Sequence, residues 1–120
     1  MSTADGPGYT YQDIDAHDGL VSIQISYQVA PGDKSEFIQL MSELGCKRQR
    51  NGVSFWRIYR DLEQPLHYQE RFIVDSWSDY LRQQMRLTVA GLNLERQVRA
   101  LHVGEHWLKV THFISEKGMR

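Results

Sequence analysis

Few groups in this chain of 120 residues, with 5 histidines and 1 cysteine, could do chemistry. His102 and His106 are four apart, a spacing that suits two ligands on one helical face. Gly104 between them ends a helix, however, and no third ligand is evident, so no metal site is expected. His112 falls in a run of strand character, on the side shared with Leu108, Val110 and Ile114. The plainer reading is a core-edge imidazole satisfied by a hydrogen bond; the functional one is the best remaining titratable group in a pocket, and so the candidate catalytic base. Glu70 lies between Tyr68 and Phe72 on one strand face. Either burial raises its pKa or it pairs with Arg57 on the neighbouring strand, and pairing is the expected outcome. Trp56, Trp77 and Tyr68 could wall a pocket for a planar ligand, although aromatics at strand and helix junctions commonly just fill the core. Cys46 is expected to be a buried, inert thiol. The basic run Lys47, Arg48 and Arg50 could bind phosphate, but its place at a helix end makes complementing the C-terminal dipole the expected role. No glycine-rich phosphate loop, serine-histidine-acid set or pair of catalytic carboxylates can be assembled.

The elements that position these groups follow from hydrophobic period. Residues 1–19 are rich in Gly, Pro, Asp and Ser and read as a flexible lead or linker. Val21, Ile23, Ile25, Tyr27 and Val29 then alternate with Ser22, Gln24, Ser26 and Gln28, the pattern of a strand with one apolar face. Pro31-Gly32 ends it, and Asp33 with Glu36 forms a capping box for a helix whose inner face is Phe37, Leu40, Met41 and Leu44. Asn51-Gly52 closes that helix. Val53 to Arg60 and the alternation Tyr68, Phe72, Val74 predict an antiparallel hairpin across the turn 61–65. Ser76 caps a second helix, in which Trp77, Leu81, Met85 and Thr88 recur at helical spacing, with a kink or break expected at Gly91 before Leu94, Val98 and Leu101. A last strand spans Trp107 to Ile114, and residues 117–120 fray.

Strand-helix-strand-strand-helix-strand is the order of a ferredoxin-like α+β domain: one four-stranded antiparallel sheet with helices on one face, here over residues 20–116. Large apolar side chains fall on both sides of the second and fourth strands: Trp56 and Ile58 against Phe55 and Tyr59, Leu108 and Val110 against Trp107 and Phe113. One face has no helix to cover it, which predicts a homodimer closed by two sheets meeting face to face. With 14 basic and 15 acidic residues the formal charge is −1, giving no field that would draw nucleic acid or an anionic membrane. A single cysteine, no signal peptide and no apolar run long enough to cross a bilayer predict a cytoplasmic protein without direct membrane insertion.

The words Trp56, Tyr59-Arg60-Asp61, Pro65, Tyr68, Glu70, Val74, Ser76-Trp77, Leu81-Arg82-Gln83, Arg86, Thr88-Val89, Leu94-Glu95, Val98-Arg99-Ala100 and His102-Val103-Gly104 carry a resemblance over residues 21–115. The stretch resembles the dimeric α+β barrel group that includes antibiotic-biosynthesis monooxygenase-like domains. It is more closely similar to the soluble C-terminal domain of bacterial major-facilitator proteins called transmembrane secretion effectors. The resemblance implies a dimeric α+β barrel of bacterial origin, without a cofactor, that is either the soluble part of an exporter or a freestanding relative. Gln84 stands where such sequences usually carry a histidine on this helix, and Tyr80 and Gly91 where a histidine and an acidic residue are expected. A glutamine amide orients a ligand but is no general base near neutral pH. The expected function is therefore binding of a hydrophobic planar small molecule by Trp56, Tyr68, Glu70, Trp77 and Gln84. The alternative is a cofactor-independent monooxygenase acting on an aromatic or quinol substrate, with His112 as its base.

Overall fold

The computed structural model describes residues 19–86, 88–104 and 107–116. Strand β1 (Val21–Gln28) leads through a single 3-10 turn, Pro31–Asp33, into helix α1 (Lys34–Arg50). Then come β2 (Phe55–Arg60), β3 (His67–Val74), α2 (Trp77–Met85), α3 (Val89–Ala100) and β4 (Lys109–Ile114). The sheet order is β2-β3-β1-β4 with every neighbouring pair antiparallel, as a ferredoxin-like α+β domain requires.

Strict alternation in β1 puts Val21, Ile23, Ile25 and Tyr27 in the core. The register sets Phe72 beside Ile23 and Tyr68 beside Tyr27, so β3 buries the same side. Phe37, Leu40, Met41 and Leu44 come down on that face from α1, and Leu94 and Val98 join from α3. At the centre Phe37 is fully buried, its ring 5.3 Å from Tyr27 and 5.0 Å from Tyr68. The α1 stop also follows the sequence: Asn51 is the C-cap and Gly52 takes φ 101°, a left-handed value that glycine adopts without a side-chain clash.

Local expectations fail in four places. Asp33 makes no side-chain cap, because Pro31–Asp33 is itself a helical turn feeding α1. The break in the second helical region lies before Gly91: α2 ends at Met85, and Thr88 caps a separate α3 by accepting a hydrogen bond from the Gly91 N–H at 3.0 Å. Gly91 thus sits in the first turn of the new helix, and the described residues form three α-helices instead of two. Leu81 and Met85 are exposed while Gln83 is buried, so the apolar stripe of α2 packs against the core only at its start, Trp77, and is turned away from it further along. Trp107 precedes β4 instead of opening it and is also exposed. Ser76 does cap α2, accepting from the Asp79 N–H at 3.1 Å.

The open face of the sheet is less apolar than the sequence suggests. Its aromatics, Phe55, Tyr59 and Phe113, lie on the outer strands β2 and β4. Central strands β1 and β3 fill the middle with Ser22, Gln24, Ser26, Gln69 and Arg71. Arg57 on β2 is directly opposite Arg71 on β3.

Candidate functional site

A buried acid organises the layer between sheet and helices. Glu70 is fully buried on β3. The Tyr27 hydroxyl donates to its Oε1 at 2.9 Å and the Trp56 indole N–H to its Oε2 at 2.9 Å. Arg48 spans both oxygens, donating through Nε to Oε2 and through Nη2 to Oε1 at 3.3 Å. Arg48 Nη1 also reaches Glu95 on α3 at 3.3 Å, and its guanidinium lies 4.5 Å from the centre of the Phe72 ring. One arginine thus ties α1 to the sheet and to α3. Burial is the largest influence and disfavours the Arg48 charge, but the charge and hydrogen bond of Glu70, with the smaller effects of Tyr27 and Glu95, together hold the pKa above its ordinary value. Burial first, then the Glu70 charge, push the Tyr27 phenol well above its usual value, so its hydroxyl stays a donor.

This arrangement corrects the expected Glu70–Arg57 pair. Ile58, not Arg57, stands opposite Glu70; Arg57 points to the other face of the sheet. It also corrects the dipole role given to Arg48, which turns inward to Glu70. Helical spacing carried the signal, since Arg48 follows Met41 by seven residues and Leu44 by four, on the stripe that faces the core. Gly45 belongs to the same stripe. It is buried, and a Cβ there would come within 2.7 Å of the Trp56 ring. In an open helix Gly→Ala stabilises by about 1 kcal/mol. Here Gly45→Ala must displace the indole that bonds Glu70, and we expect a net loss of about 1–2 kcal/mol in urea unfolding, because overpacking costs more than the propensity gain.

Above this network the end of α1 and the α2–α3 junction enclose a cleft of about 90 Å3. Lys47, Arg48, Arg50 and Asn51 line one side; Gln83, Gln84, Thr88, Gly91 and Glu95 line the other. A guanidinium has five N–H groups, and three of those on Arg48 are engaged by Glu70 and Glu95, leaving two. With the side-chain amides they make a donor-rich wall, suited to carbonyl, phenol or phenolate oxygens. The one acid among the described residues of the lining, Glu95, is already bound to Arg48.

The expected pocket residues are therefore dispersed. Trp56 and Glu70 meet in the buried network, and only Gln84 lines the cleft. Tyr68 is buried against Phe37 and borders a second cavity, of about 300 Å3, with Ser26, Tyr59 and His67. The Tyr68 hydroxyl has no hydrogen-bond partner among the described residues. Removing it in Tyr68→Phe should leave stability unchanged or raise it by about 1 kcal/mol, read from the urea midpoint.

Trp77 lies with His112. Their rings are 5.6 Å apart, Tyr80 stacks at 5.2 Å from Trp77, and the Tyr80 hydroxyl is 3.2 Å from His112 Nε2. The half-buried imidazole thus has the hydrogen-bond partner of its plainer reading. Burial lowers its pKa from the ordinary 6.5 and favours the neutral ring. As pH falls below about 6.5 the unfolded chain binds this proton before the folded one does, so stability should drop on acidification. His112→Phe should flatten that slope, measured as urea midpoints at about pH 5 and about pH 7.5.

His102 is structural: its Nδ1 accepts the Gln28 N–H at 3.0 Å and joins the turn after α3 to the end of β1. His106 lies outside the described residues, among which no cluster of His, Cys, Asp and Glu is placed to hold a metal ion. Cys46 is exposed, not buried as expected. No described helix is long and apolar enough to cross a membrane.

Solved structures share this fold at low sequence identity. A conserved protein from Methanosarcina mazei Go1 superposes with TM-score 0.72 at 13% identity, covering 84% of this chain and 97% of that one. A candidate antibiotic biosynthesis monooxygenase from Caulobacter crescentus CB15 gives 0.72 at 13%, covering 85% and 94%. The cofactor-independent oxygenase SnoaB of Streptomyces nogalater, solved as a point mutant, gives 0.69 at 15%, covering 83% and 96%. No curated protein matches the sequence significantly. The model of the transmembrane secretion effector family matches residues 6–119, almost the whole length, and the chain belongs to that family.

Proposed function

We propose that this is a small-molecule-binding domain of an export system, a homodimer on the cytoplasmic side, which takes the oxygen-bearing end of a hydrophobic planar compound into the cleft between α1 and the α2–α3 junction. The observation that carries this reading is a cleft lined by hydrogen-bond donors and, among the described residues, by no uncommitted base: Gln84 occupies the helix position, Glu95 is bound to Arg48, and Glu70 beneath is saturated by Tyr27, Arg48 and Trp56. Such a site can hold and orient a ligand and cannot readily take a proton from it. Its size, about 90 Å3, suits one substituted ring, the remainder of the ligand projecting past Lys47 and Arg50. Family membership supports the link to export.

A second reading, a cofactor-independent monooxygenase, is favoured by the fold shared with the Streptomyces oxygenase and by His112, whose neutral imidazole beside Tyr80 is the form a base requires. Here the substrate carbanion, formed when His112 takes the proton, would reduce oxygen, and the protein would supply the base and a water-poor surrounding. Oxygen uptake with 1,8-dihydroxyanthrone, beside calorimetric binding of 1,8-dihydroxyanthraquinone, separates the two. The binding reading expects heat of binding and no uptake above the uncatalysed rate. Uptake that disappears in His112→Ala would replace it with the enzyme.

A further inference from the structure

On the open sides of the four strands, away from the helices, the charged side chains are all of one sign. Arg57, Arg71 and Lys109 stand there with His67, and no carboxylate does. Arg57 and Arg71 are cross-strand partners, their Cα atoms about 5 Å apart, a placement that repels when both side chains are charged. They lean apart. Arg57 lies over the Phe55 ring at 5.2 Å and Arg71 over the Tyr59 ring at 5.5 Å, on opposite sides of the row they share.

Their protein partners are neutral and few. Arg57 Nη1 donates to the Trp56 carbonyl at 2.9 Å, and Gln24, with its amide turned, accepts from Arg71 Nε at 3.2 Å and Nη2 at 2.6 Å. Most N–H groups of the two guanidiniums therefore have no acceptor among the described residues, and neither arginine forms an ion pair there. The adjoining row is apolar, with Phe55 paired to Ile73. A carboxylate would be satisfied by one guanidinium through two parallel hydrogen bonds. Two guanidiniums match a phosphate, which carries nearly two negative charges near neutral pH and has enough oxygens for both. The apolar row favours a phosphate bearing an organic group over the bare ion. The formal charge of −1 on the whole chain argues against a polyanion track, but it does not bear on two adjacent cations.

We propose that Arg57 and Arg71 form an anion site on the open face of the sheet, whose ligand is a small phosphomonoester with its phosphate between the two guanidiniums and its organic group over Phe55 and Ile73. The site is separate from the cleft at the helix ends and is complete on one copy. In the homodimer proposed above, where this face meets its like, the phosphate neutralises cations that would otherwise oppose one another.

Nitrogen-15 NMR of the arginine Nε groups, during addition of phenyl phosphate at about pH 7.5 and fixed ionic strength, tests it. Saturable shifts of Arg57 and Arg71 are expected, with a dissociation constant of about 1 mM or below, while the Arg48 resonance stays in place. Arg57→Ser and Arg71→Ser, each alone, should weaken binding at least about tenfold. Neither side chain is buried, and because each change relieves a repulsion the urea midpoint without ligand should be unchanged or higher, which shows that the variants fold. Inorganic phosphate should bind the same pair about threefold more weakly, and equal affinity would overturn the place given to the organic group. No saturable shift of the pair up to about 20 mM, shifts confined to Arg48, or binding that survives both serine variants would overturn the site.

Discussion

Glu70→Ala is expected to lose about 3–5 kcal/mol of folding stability, the cost of leaving a buried charge unpaired, seen as a large fall in the urea midpoint. The carboxylate has no solvent to fall back on, and three other groups depend on it. Tyr27 and Trp56 lose their acceptor, and Arg48, with a side chain only 11% exposed, keeps just Glu95 as an acid partner. Glu70→Gln keeps the shape and can still accept, yet it places an amide N–H among donors and should lie between alanine and the natural residue. The sharper control is Glu70→Leu with Arg48→Met, which removes both charges. It should recover most of the loss, since exchanging an ion pair for apolar side chains of similar size is often close to neutral. A double variant as unstable as Glu70→Ala would mean that packing around Trp56 and Gly45, not charge, sets the cost.

Phe37→Ala should cost a similar amount, about 3–5 kcal/mol, by a different physical route. The ring is fully buried and fills the space between Tyr27 and Tyr68. Deleting it opens a cavity under α1 and releases the tyrosine whose hydroxyl holds Glu70. Urea unfolding gives the size of the loss. Phe37→Leu should cost roughly half as much, because a smaller apolar group fills part of the void and the surroundings relax only partly.

Most of the scaffold was legible because period alone determines it. β1 alternates without a flaw, and the Phe37, Leu40, Met41, Leu44 stripe can face only one way. What the pattern could not supply was partner choice. Glu70 and Arg57 look adjacent on paired strands, but the register opposes Glu70 to Ile58, and its cation comes from a helix twenty-two residues earlier in the chain. An arginine on an apolar stripe, next to a glycine on the same stripe, was the available clue. On α2, apolar residues at helical spacing do not say which side of the helix the core lies on: Trp77 packs against it, but further along Gln83 takes the buried side and Leu81 the exposed one. Thr88 is hard to recognise as a cap because Gly91 looks like a breaker, while its N–H is the donor that Thr88 holds. The candidate site was the least legible part. Of the expected pocket residues, the aromatic and acidic ones, Trp56, Tyr68, Glu70 and Trp77, serve the core or the sheet, leaving the cleft to amides and cations at the helix ends.

The reading as a binding domain depends on a ligand entering between Arg48 and Gln84. Nitrogen-15 NMR of the arginine Nε and glutamine side-chain groups, followed while 1,8-dihydroxyanthraquinone is added, tests that most directly. Saturable shifts of Arg48, Gln83 and Gln84, abolished when Gln84→Trp fills the cleft, are the predicted result. Shifts confined to the indole of Trp77 and the surroundings of His112, or binding untouched by Gln84→Trp, would contradict it.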